Sequence, residues 1–225
     1  MLYALAHPAA LGVLLLSFVG GITLHGWVQS VVADRLGDRR PRQEGRVKPD
    51  PRRHLDPFGC VAAAISGLGW ARPVEVLDRR RRGAALAVTL AGPVSNLLLG
   101  AGLLLAFRAT ADFGIEGGLA SLLQHGVSLS PAPGQIALLL GGASQLYLGA
   151  LSLVPLPPLD GGRLLFALSP RTPGWQKAQH YLVEQNIGIA VLLALLLIPL
   201  GGPLPLLPQV LDAVLGPLMT VLTGG

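Results

Sequence analysis

Apolar residues lie along this chain in long runs, not in the alternation of a half-buried strand. Three runs, Ala9–Val32, Ala84–Phe107 and Gly134–Pro155, are each long enough for a helix to cross a hydrocarbon core of about 30 Å. A fourth starts at Ile187 and is broken near Leu200 by Pro199, Gly201, Gly202 and Pro203. The last stretch, Leu204–Leu222, predicts a span or an interfacial helix, weakened by Asp212 and its prolines. Phe58–Trp70 is apolar but too short for an ordinary crossing, which suits a re-entrant segment or a surface hairpin. Both its flanks are rich in Arg, so it should begin and end on one side. The pattern predicts an all-α fold: a polytopic helical membrane protein, one integral domain over 1–225. Its core is the first three spans, 9–160, followed by C-terminal spans over 186–222.

Composition agrees. The hydrophobic fraction is 51% and only 13% of residues are charged, against roughly 25% in a soluble domain. Of the 17 Lys and Arg residues, 13 fall between Arg35 and Arg82. In a soluble protein such clustering suggests nucleic acid; beside membrane spans it marks cytoplasmic loops. This predicts a multi-pass protein of the cell membrane, with 33–56 and 71–83 cytoplasmic, 108–133 outside, and no nucleic-acid partner. The Arg79–Arg82 run suits anionic lipid head groups. The first apolar run has no basic n-region and exceeds a signal-like length, so it reads as a retained span. Cys60, the one cysteine, excludes an intrachain disulfide and a cysteine-based metal site.

The charge-derived topology has a chemical consequence. His25 lies near the cytoplasmic end of the first span and Asp160 at the cytoplasmic end of the third. Residues 135 positions apart should therefore share one membrane depth. There an ionisable group is costly unless paired, wet or bound to metal. On the His25 helix, Gln29 stands four residues on and shares its face.

Four stretches resemble the site-2 protease family of intramembrane zinc metalloproteases, in its small bacterial form. The first is His25 with Ala33-Asp34-Arg35-Leu36-Gly37-Asp38, similar to the family's HExxH helix and its continuation. The second is His54-Leu55-Asp56-Pro57-Phe58-Gly59 with Trp70-Ala71-Arg72-Pro73-Val74. The others are Ala91-Gly92-Pro93-Val94-Ser95-Asn96 and Leu153 through Arg163, which contains Pro157-Pro158-Leu159-Asp160-Gly161-Gly162. Their order and spacing match over about residues 15–170. The resemblance implies zinc held by two histidines at i and i+4 and a distant Asp, with a Glu base activating the bound water.

On that template His25 and Asp160 are the residual metal ligands. Gln29 stands at the second-ligand position and Gly26 at the general-base position. The amide oxygen of Gln is a poor zinc donor, so zinc is at best weakly held. A missing base alone costs typically 10²–10⁴ in rate. Ser152, where the family often has Asn, and Asn96 are candidate substrate contacts; Asn96 serves equally well as an interhelical hydrogen-bonding group. The favoured metal-free reading is a His25–Asp160 hydrogen bond joining two spans. Trp27 is expected to fill space near the site. His54 is a further candidate ligand, while His7, His125 and His180 read as surface residues.

The expected function is a catalytically impaired site-2-protease-like protein that binds the lipid bilayer and membrane segments or partner proteins. The alternatives are an active zinc protease with an unrecognised ligand and base, drawn from Asp34, Glu44 or Asp56, and a transporter or channel component. The latter lacks support from inverted repeats.

Overall fold

The computed structural model describes residues 8–74, 82–111, 118, 132–170, 172–199 and 205–225. His7, His125, Arg171, the Arg79–Arg81 run, the side chain of Arg82 and nearly all of the 112–131 connection lie outside them. Among the described residues the regular structure is helical, with one isolated bridge between Leu55 and Ala71.

Three long helices form the centre: α1 (Pro8–Arg35), α5 (Arg82–Thr110) and α6 (Pro133–Ser152). Between α1 and α5 come α2 (Arg40–Gln43), α3 (Pro51–His54) and α4 (Pro57–Ser66). After α6 come α7 (Asp160–Leu168), α8 (Pro173–Gln179) continuing into a π-helical turn at His180–Glu184, α9 (Ile187–Leu197) and α10 (Leu206–Thr223). Helices α1, α5, α6 and α10 are long and apolar enough to cross a membrane. The protein is thus all-α and polytopic. Large apolar side chains such as Leu16, Leu98, Val214 and Val221 face outward, as lipid contact requires.

Helix α5 runs antiparallel to α1 and α6, and the three pack closely because small residues sit where they cross. A Cβ on Gly100 would strike the α6 backbone at Leu146, and one on Gly149 would strike Leu97 and the Pro93 carbonyl. Small residues at such crossings let helix backbones approach within the membrane. Leu104, Phe107, Leu139, Ala143, Leu146 and Leu151 fill the resulting core.

The short apolar segment returns to its origin. Helix α4 is capped at its start by Asp56, which accepts from the Gly59 N–H at 2.8 Å. It ends at Gly67 in the left-handed conformation (φ 86°). The chain then comes back until the Arg72 N–H meets the His54 carbonyl at 2.8 Å. A Cβ on Gly59 would collide with the Trp70 carbonyl, so this return needs glycine there. Both ends of 58–70 therefore lie together, as the basic flanks require.

In the C-terminal part the break expected at Pro199 is present. The run from Ile187 is an eleven-residue helix, bent 68° from the helix before it. Asn186, with φ 56°, breaks the chain at its start. Ile198 precedes Pro199 and is extended (ψ 122°), which ends the helix. The full-length apolar helix is instead α10, with Pro217 within it. Tyr147 of α6 donates to Asp212, so the charge that weakened the prediction has a partner.

Candidate functional site

Proline 93 lies inside α5 and has no N–H to give the Thr89 carbonyl one turn earlier. That carbonyl must find another donor. Gln29 supplies it, its Nε2 lying 3.1 Å from Thr89 O. The same Nε2 donates its second hydrogen to Asp160 Oδ1 at 2.9 Å. Both amide hydrogens of Gln29 are therefore committed.

Asp160 opens α7, where the helix dipole favours a carboxylate. The loop before it folds tightly. A Cβ on Gly161 would collide with the Leu153 carbonyl, and one on Gly162 with the Pro157 nitrogen. This packing carries the carboxylate back to α1. Its Oδ2 lies 2.7 Å from His25 Nε2, and Arg163 Nη1 lies 3.3 Å from Oδ1. A second nitrogen of Arg163 donates to the Val74 carbonyl.

On its far side the His25 ring meets Asn96, with Nδ1 2.9 Å from Asn96 Oδ1. Asn96 Nδ2 donates to Gly21 O at 3.2 Å and to Gln145 Oε1 at 2.6 Å. Gln145 Nε2 continues to Ser17 O at 2.7 Å and Ser17 Oγ at 2.8 Å. One connected polar chain thus crosses α1, α5, α6 and α7. His25, Gln29, Asn96 and Gln145 are at most 2% exposed and Asp160 is 6% exposed. Glycines clear its path: a Cβ on Gly21 would strike Gln145, and one on Gly92 would strike His25 Nε2.

Both ring nitrogens of His25 face oxygen acceptors. With Nδ1–H pointing at Asn96, Nε2 and the Asp160 carboxylate are two electron-rich atoms at hydrogen-bond distance. The 2.7 Å separation is that of a charge-assisted hydrogen bond.

Gly26 is not open space. A Cβ there would collide with the His54 ring, whose Nε2 lies 3.2 Å from the Lys48 carbonyl. The ring is fully buried and its Nδ1 has no hydrogen-bond partner. Burial pushes the His54 pKa down, with the Lys48 carbonyl opposing. His54 therefore sits over Gly26 and is not gathered with His25 and Asp160 into a ligand set. Trp27 also differs from expectation: its indole N–H donates to Val47 O at 2.9 Å, toward the connection after α2.

Ser152 does reach the site. With His25, Gln29, Asp160, Trp70 and Pro158 it lines a small pocket, while its hydroxyl donates to Gly149 O at 2.7 Å. Of the sequence-derived residues, His25, Gln29, Asn96 and Asp160 fall into one network and Ser152 borders it. Sequence reasoning missed Gln145, Thr89 and Ser17. Gln145 had a signal, an amide within an apolar span; Ser17 had none.

The fold and site define a helical membrane protein with a metalloprotease-like His–Asp pairing. Comparison with known proteins carries this further. The chain is 33% identical to a Bacillus subtilis (strain 168) protein named "Putative zinc metalloprotease YwhC", covering 84% of this chain and 82% of that one. It belongs to that metalloprotease family. No family model and no solved structure matches it.

The side chains as placed do not fit a zinc ion. Two ligand atoms on tetrahedral zinc, at bonds of about 2.0–2.2 Å, lie about 3.2–3.6 Å apart; His25 Nε2 and Asp160 Oδ2 are closer than that. Gln29 turns an N–H, not a lone pair, toward Asp160. Among the described residues no three His, Cys, Asp or Glu side chains gather into a ligand set.

Proposed function

We propose that this chain is a catalytically impaired, site-2-protease-like member of its family, one that binds membrane segments or partner proteins without cleaving them. One observation carries the reading: Gln29 spends both amide hydrogens on Asp160 and Thr89, where a second histidine ligand would stand. Gly26 offers no base, and the adjoining His54 ring occupies the space a base would enter. Ligand loss and base loss fall on the same step, activation of water, so their effects combine.

The binding part of the proposal rests on shape. Beside the network lies a larger groove bordered by Pro73, Thr89, Pro158, Arg163, Phe166 and Ile189. Its wall is broken helix and proline-rich loop, the irregular backbone that membranes tolerate where it lines a cavity. Ser152 stands at the smaller pocket as the candidate contact to a bound segment. The charge bias of 33–56 and 71–83 supports a cell-membrane protein with those loops cytoplasmic.

The test is zinc content and proteolysis of the detergent-purified chain, with His25→Ala and Asp160→Ala as controls. The expected result is zinc far below one per chain and no cleavage of membrane-segment reporters. Stoichiometric zinc lost in both controls, with cleavage lost in parallel, overturns the proposal. Restoring activity should require Gly26→Glu and Gln29→His together with displacement of the His54 ring.

A further inference from the structure

The chain of amides behind His25 is more ordered than a simple tie between helices needs. Backbone carbonyls only accept hydrogen bonds. The Ser17 carbonyl therefore fixes which end of the Gln145 amide turns toward it, the nitrogen at 2.7 Å. Gln145 Oε1 is then left to face Asn96. The Gly21 carbonyl independently demands the nitrogen of Asn96. Two fixed acceptors thus leave Asn96 Oδ1 facing His25 Nδ1, which must carry a hydrogen. Nε2 is turned toward Asp160. Metal-bound histidines have this arrangement: one ring N–H given to a held acceptor, the other nitrogen presented to the site.

We propose that Gln145 and Ser17 are positioning residues that act through Asn96 to hold the His25 ring with Nδ1–H on Asn96 and Nε2 toward Asp160, so that a histidine at position 29 would meet a first ligand already oriented. This rests on the metal-free reading above and locates its cause. The His25 ring is held and the Asp160 loop is in place; what differs from a metal site is the Gln29 amide and the direct His25–Asp160 hydrogen bond that it accompanies. Gly92 strengthens the case, because any side chain there would push into His25 Nε2. Asn96 spends its oxygen and both amide hydrogens on this task.

The test compares wild type, Gln29→His, Gln29→His/Gln145→Leu and Gln29→His/Ser17→Ala as full chains in detergent. Zinc per chain is measured after gel filtration and affinity by competition with a chelating dye. Gln29→His is expected to retain about one zinc. Adding Gln145→Leu should weaken binding by about 10–100-fold, the usual effect of losing a metal ligand's hydrogen-bonded support. Ser17→Ala, which leaves the backbone carbonyl, should weaken it by a smaller factor. Gln29→His without zinc, or equal affinities in Gln29→His and its Gln145→Leu partner, overturns the proposal. Nitrogen-15 NMR of His25 in the wild-type chain reads positioning without requiring any variant to fold: a protonated Nδ1 supports the proposal and an unprotonated Nδ1 overturns it. Stoichiometric zinc in wild type would instead overturn the metal-free reading, while the comparison within the Gln29→His background still decides the positioning claim.

Discussion

The half of the chain that carries the motifs and the C-terminal helices solve the same packing problem differently. Around His25, helices α1, α5, α6 and α7 are joined by directional bonds between buried polar groups, and glycines stand where a side chain would interrupt them. Helices α9 and α10 contribute Leu192, Leu196, Leu211, Leu215 and Met219 to an apolar cluster. They are also tied by polar contacts, among them Tyr147 to Asp212 and the Arg108 bond to the Val221 carbonyl at 3.0 Å. Apolar packing tolerates many substitutions that keep volume. A buried polar chain fails when one member is lost, because its neighbours remain desolvated and unpaired. The motif half should therefore respond sharply to single-atom chemistry, and the C-terminal half to volume.

Asp160→Ala should have the largest effect. It strands the His25, Gln29 and Arg163 donors together, and breaking a buried charged pair costs about 3–5 kcal/mol. A large drop in melting temperature in detergent, or loss of the monodisperse chain, is expected. An unchanged melting temperature would break the contrast. Met219→Ala, at a fully buried position of α10, should cost about 2–4 kcal/mol through the cavity it leaves. Met219→Leu should recover most of that, whereas no isosteric apolar residue should rescue Asp160.

Acid should act on the motif half through His54. Burial lowers its pKa in the folded chain, so below about pH 6.5 the unfolded chain binds more protons. Stability is then complete above that pH and falls as pH drops toward the folded value. Melting curves between pH 8 and about 5 should show this slope, and His54→Gln should flatten it. The smallest change is Tyr147→Phe, which removes the hydroxyl bonded to Asp212. A single hydrogen bond between membrane helices is worth about 0.6–2 kcal/mol, so the melting temperature should fall slightly.

Much of this could be read along the chain. Long apolar runs gave three spans to within a few residues, and the Arg-rich flanks of Phe58–Trp70 put its ends on one side, where the Leu55–Ala71 bridge joins them. Charge bias placed His25 and Asp160 at one depth. The start at Ile187 and the break before Pro199 were legible too, whereas the left-handed turn at Asn186 and the bend it makes were not.

What the sequence by itself determined was the helical membrane class and the depth shared by His25 and Asp160. Those follow from hydropathy, charge and residue identity, which are properties of the chain taken in order. Only the tertiary structure decided what surrounds Gly26 and Gln29. Pro93 frees a carbonyl that Gln29 then satisfies, His54 comes from another segment to cover Gly26, and Gln145 and Ser17 orient Asn96 against His25. Each of these is a contact between residues far apart in sequence, chosen because a buried polar group must be paired with whatever neighbour the packing brings.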